Sequence, residues 1–230
     1  MGTSRRKRNA DTLAFMPTLE TILLFTGAAL VLAVTPGPGL FYVAARTLAG
    51  GRAEGIASSL GTGIGGAFHV AAGALGISAL VLASAELFTV LKFVGAAYLV
   101  FIGWRTFQAA RREAAPDFTA GAEPPMGVHR AFREGIVVEL LNPKTAAFFL
   151  AFIPQFVTPA HGSVALQFIV LGLISVTLNT LADIIVALAA SRIRAGARSR
   201  PTLIRRLREG AGAAMALLGI GLAFARRPAI

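Results

Sequence analysis

Cysteine is absent from the 230 residues, which excludes a disulfide framework, a thiol nucleophile and any cysteine-based metal site. Charge is also scarce, at 14% of residues, and acid is the scarcer sign, with 11 Asp and Glu against 22 Lys and Arg. No HExxH, GxSxG or Walker-type stretch occurs, so a membrane-embedded enzyme would lack a recognisable nucleophile, metal cluster or phosphate loop. The three histidines, His69, His129 and His161, lie in different segments without the three- or four-residue spacing of a ligand pair. Neither a metal nor a cofactor is expected. The formal net charge of +11 does not point to nucleic acid, because the basic residues sit in short connections between apolar runs and form no groove with interleaved aromatics.

What is abundant is hydrocarbon. Hydrophobic residues make up 55% of the chain, so the bilayer is the first solvent to consider. Six apolar stretches, about 19–44, 55–83, 87–108, 133–157, 163–190 and 210–225, approach or exceed the roughly 20 residues a helix needs to cross hydrocarbon. The connections after the first, third and fifth stretches carry fourteen Lys and Arg, from Arg46 to Arg208, while the opposite side carries seven. The basic side is expected in the cytoplasm, which places both termini outside an inner membrane. Residues 1–15, "MGTSRRKRNADTLAF", read as a basic extension ahead of a natural start at Met16. Residues 111–132, with prolines and charges, read as a cytoplasmic linker between a first three-helix unit, 16–110, and a second, 133–230. Three is odd, so the second unit must enter the membrane with the opposite sense.

The first and fourth stretches both contain proline where a helix interior should not. Aligning 35-TPGPGLFYVA-44 with 142-NPKTAAFFLA-151 pairs Thr35 with Asn142, Pro36 with Pro143 and Phe41 with Phe148. Each proline removes a donor from the carbonyl four residues upstream, so Pro36 and Pro38 free those of Leu32 and Val34, and Pro143 frees that of Glu139. Unpaired backbone groups at membrane depth persist where protein, water or ligand satisfies them. Inverted repeats that each carry one broken helix mark the central binding site of secondary transporters. The expected fold is an all-α polytopic membrane protein of six transmembrane helices, two inverted three-helix repeats with broken first and fourth helices.

The stretches "VTPGPGLFYVAARTLAGGRAEGIASSLGTGIGGAFH", "FVGAAYLVFIGWRTF" and "LLNPKTAAFFLAFIPQF" resemble the signature regions of the LysE/RhtB family of amino-acid exporters. The resemblance implies six transmembrane helices and export of amino acids or close derivatives driven by an ion gradient. It carries site roles onto Pro36, Gly37 and Pro38 in the first broken helix and Asn142, Pro143 and Lys144 in the second. Many members place an acidic or amide residue where this chain has Gly39, so a role for a first-helix side chain there, and the lysine or arginine branch, do not follow.

Ionisable residues inside the apolar stretches need a reason, because each costs about 2.5–3.5 kcal/mol at the bilayer centre on insertion scales. Asp183 is one, and Ser175, Asn179 and Asp183 share a helical face. Asp183 is expected to bind a substrate ammonium or exchange the coupling proton; the plainer alternative is an interhelical hydrogen bond. Glu139 and Lys144 flank the second break, and they either pair with each other or leave Lys144 to hold a substrate carboxylate. Gly61, Gly65, His69 and Gly73 recur every four residues. Such small residues serve close internal packing or a homodimer, and His69 among them is a candidate proton relay. The expected partners are an amino acid, a coupling proton and the lipid bilayer. A passive channel and an exporter of some other small solute remain the rivals.

Overall fold

The computed structural model describes residues 17–83, 85–112 and 124–194, together with a few single positions between 209 and 224. The expected extension 1–15 with its start at Met16, half of the linker, and most of the sixth stretch lie outside the described residues. Within them the chain is helical, with no strand.

Helix α1, Leu19–Val34, starts where the Thr18 hydroxyl accepts the Thr21 amide at 3.2 Å, the side-chain cap that the first turn needs. It stops at Thr35, because Pro36 cannot extend it. Helix α2, Pro38–Gly50, has Pro38 at its first position, where no backbone donor is required. It ends on Gly51, whose φ of 86° needs glycine. Helices α3, Arg52–Ala83, and α4, Ala85–Arg112, follow. Helix α5, Val128–Leu140, breaks before α6, Pro143–Ala147, which continues through a π-helical turn, Phe148–Phe152, and a 3-10 turn, Ile153–Phe156. Helix α7 spans Val164–Arg194.

The two pairs expected to be broken are bent by 49° at residues 35–37 and by 44° at residues 141–142. Helices run beyond the apolar stretches at several ends, since arginine-bearing turns such as those of Arg52 and Arg112 keep their backbone hydrogen bonds after the hydrocarbon ends. Among the described residues, Val164–Arg192 alone is long and apolar enough to cross a membrane, and each bent pair passes as one unit.

The side chains are distributed inside-out relative to a water-soluble bundle. Leu23, Leu24, Leu75, Leu181 and Ile185 are exposed, while Ser58, Ser59, Thr62, Gln167 and Ser175 are buried. An exterior of this kind is stable against lipid, where polar groups must find partners inside.

Helix α3 lies between α5 and α7. A Cβ on Gly61 would fall against the Phe132 carbonyl oxygen and one on Gly135 would stand 2.7 Å from that of Ser58, so α3 and α5 cross with backbones nearly touching. Gly63 and Gly66 face Thr180 and Val176 of α7, and Gly73 faces the Phe168 ring. The stripe is therefore occupied by contacts within the chain. On one side of the breaks the core is aromatic: Phe148 stacks on Phe152 at 4.8 Å, and Phe25 meets Phe156 edge-on at 5.3 Å. On the other side the Tyr42 hydroxyl donates to the Ala131 carbonyl at 2.9 Å. There the buried Glu54 carboxylate also accepts the amides of Met126 and Gly127 at 2.9 and 2.8 Å.

Candidate functional site

The two breaks meet. Lys144, 4% exposed, extends from the start of α6 to the end of α1, where its ammonium donates to the carbonyls of Leu32 at 3.2 Å and Thr35 at 2.9 Å. The Leu32 carbonyl is one that Pro36 deprives of its helical donor. It also accepts the Thr35 amide at 3.2 Å. A cation at this point is favoured further because the last turn of a helix carries partial negative charge. Gly37 makes the reach feasible, since a Cβ there would lie 3.1–3.2 Å from the end of the Lys144 side chain. Gly37 has extended backbone, φ −153°, so it is clearance for Lys144 and not backbone freedom that a glycine supplies here.

The second break is satisfied in the same manner. The carbonyl of Glu139, freed by Pro143, accepts the Asn142 amide at 3.0 Å and lies 3.0 Å from His69 Nε2. A carbonyl only accepts, so His69 Nε2 carries the hydrogen in this contact. His69 thus stands at the break itself, tied to it as a donor. Asn142 caps α6, its Oδ1 accepting the Lys144 amide at 3.1 Å, and its Nδ2 donates to Glu139 Oε2 at 2.9 Å. The other oxygen of Glu139 accepts from the Thr145 hydroxyl at 2.6 Å. Glu139 and Lys144 thus do not pair directly; each is held by neutral partners.

Gly39 sits under this carboxylate. A Cβ on Gly39 would be 2.7 Å from Glu139 Oε2, so the space in which a larger first-helix residue would project is filled by an acid from the second broken helix. Asp183 completes the cluster from α7. The Thr62 hydroxyl lies 2.7 Å from Asp183 Oδ2 and 2.8 Å from the Ser59 carbonyl. A hydroxyl carries one proton. Either Thr62 donates to an ionised Asp183, or it donates to Ser59 and accepts from a protonated Asp183, and both states fit without moving a heavy atom. Asn179 is bonded within its own helix, to the Ser175 carbonyl at 3.0 Å.

Gly39, Glu139, Asn142, Lys144 and Asp183 converge, with Asn179, Thr62, Thr145 and Thr180, around a cavity of about 20 Å³, room for about one water, and Thr35 joins them through its bond to Lys144. Sequence reasoning missed Thr62, Thr145 and Thr180, because a lone threonine in an apolar run gives no periodic signal. It also missed Glu54, whose acid in a short connection looks like surface charge. The cluster holds one cation, Lys144, against two carboxylates, Glu139 and Asp183, all buried.

Apolar exteriors and helices broken beside buried charge are the features of a helical membrane protein. A family model described as LysE type translocator matches residues 30–226, and the chain belongs to that family. An uncharacterized membrane protein of Pseudomonas aeruginosa is 33% identical over 91% of this chain and 99% of its own length. A homoserine/homoserine lactone efflux protein of Salmonella typhimurium is 30% identical over 85% of this chain and 92% of its own. A leucine efflux protein of Klebsiella pneumoniae is 27% identical over 67% and 71%. No solved structure matches the chain.

Proposed function

We propose that the protein is a secondary active exporter of amino acids or close derivatives, working by proton antiport and alternating access in an inner membrane. The observation that carries this reading is the meeting of the two breaks around Lys144, Glu139 and Asp183 in a chain whose relatives include homoserine and leucine efflux proteins. The two halves are read as inverted three-helix repeats, and one rocks against the other around the fixed cluster.

The charge balance supports coupling. With both carboxylates ionised, the cluster carries one negative charge more than Lys144 neutralises, and buried excess charge is unfavourable. A proton on one carboxylate removes the excess, and so does an ammonium group of the cargo. Proton and cargo therefore compete, which is the requirement for antiport. The cargo carboxylate is assigned to Lys144, whose ammonium is bonded to backbone carbonyls and not to Glu139. In this reading the aromatic contact of Phe25 with Phe156 serves as the closure on one side of the site, and the contacts of Tyr42 and Glu54 serve as the closure on the other.

Proteoliposomes loaded with leucine or homoserine provide the test. The wild type should release label faster when unlabelled substrate is added outside, an exchange stimulation that a pore does not show, and release should respond to an imposed pH gradient. Asp183→Asn should lose the response to the gradient. Undiminished gradient-driven export by Asp183→Asn at every pH removes Asp183 from the mechanism.

A further inference from the structure

We propose that Lys144 is a built-in rival for the cargo, its ammonium occupying the seat that the ammonium of an amino acid or amine takes during transport. The proposal rests on the exporter reading and specifies how its site is filled. The seat is the pair of carbonyls of Leu32 and Thr35 at the broken end of α1, which Lys144 Nζ bonds at 3.2 and 2.9 Å. Both residues are buried; without the ammonium the Leu32 carbonyl would keep only the Thr35 amide and the Thr35 carbonyl would lose the bond that Lys144 gives it, at a cost that buried polar groups do not bear lightly. A lysine ammonium and an α-ammonium present the same three N–H donors. One therefore replaces the other at the seat without leaving either carbonyl orphaned.

The exchange has a second consequence. Lys144 belongs to the second broken helix and the seat to the first, so this contact ties the two halves of the chain together. When cargo takes the seat, Lys144 is released toward the cargo carboxylate or toward Glu139, and the tie is undone. Cargo binding and the freedom of the halves to rock thus become the same event. Gly37 fits this account, because its missing side chain leaves a path along which the four-carbon stem of Lys144 withdraws and returns.

Binding of leucine methyl ester, which keeps an ammonium and lacks a carboxylate, tests the exchange on the full-length purified protein. Removing the rival with Lys144→Gln should tighten ester binding by at least about tenfold, since two charge-assisted hydrogen bonds no longer have to be broken first. N-acetylleucine, which has no ammonium, should gain nothing. Gly37→Ala keeps the lysine and its charge but crowds its end at 3.1–3.2 Å. It should shift ester affinity in the same direction by a few-fold, which covers the case of a misfolded Lys144→Gln. Ester binding that is unchanged or weaker in the folded variants, while wild-type leucine exchange persists, overturns the exchange and leaves the exporter intact. Absence of exchange by the wild type overturns the exporter reading and this proposal with it.

Discussion

At the scale of single residues, the molecule solves one problem repeatedly: a polar atom at membrane depth must be given a partner. Lys144 and His69 do this for the carbonyls exposed by Pro36 and Pro143, and Thr62 does it for Asp183. Thr62→Val keeps the shape and removes the hydroxyl, leaving Asp183 without that bond. The expected cost is about 1–3 kcal/mol, visible as a lower Tm in detergent. Thr177→Val is the control. Its hydroxyl bonds only the Leu173 carbonyl of its own helix at 2.8 Å, on an exposed face, and its Tm should stay near that of the wild type. Asp183 and Lys144 were legible in the sequence because a charge inside an apolar run stands out. Their partners were not, since hydrogen bonds between helices more than 100 residues apart leave no local pattern.

At the scale of elements, α3 is the wedge that sets the geometry, and its glycines decide how close the neighbours come. Gly61→Ala places a Cβ against the Phe132 carbonyl oxygen. Backbone is then forced to move, and a loss of about 1–3 kcal/mol or more is expected. Gly76→Ala on the same helix meets nothing within 4 Å and should leave the Tm unchanged or slightly raised, because alanine is the better helix former. Equal losses at the two positions would contradict the assignment of Gly61 to the α3–α5 contact. The four-residue glycine spacing was readable as close packing, but the partner helix was not. Spacing identifies a face and carries no record of what it faces. The π-helical turn at Phe148–Phe152 was equally hidden, since its residues read as an ordinary apolar helix.

At the scale of the whole molecule, the orientation proposed from charge placement is open to direct test, because the chain has no cysteine to remove. Pro125 and Ser163 are exposed, one ahead of the bent pair that runs from Val128 to Phe156 and the other after it. With the basic connections in the cytoplasm, a membrane-impermeant maleimide added to intact cells should label Ser163→Cys and spare Pro125→Cys. The reverse pattern would invert the topology. The same view assigns Tyr42, Glu54 and the start of α5 to the cytoplasmic closure, and the ring cluster of Phe25, Phe148, Phe152 and Phe156 to the outer one.

The sequence by itself determined the solvent, the helical class and the places where two helices must break, since hydrocarbon content and proline act through local backbone chemistry alone. It also showed which residues carry charge that the bilayer penalises. Only the tertiary structure decided that Lys144 seats on the broken end of α1, that Glu139 fills the space beside Gly39, and that His69 closes the second break. Each of these joins groups far apart in the chain. Their distances are set by how α3 lets the two broken helices approach, a property of the packed assembly and of no single stretch.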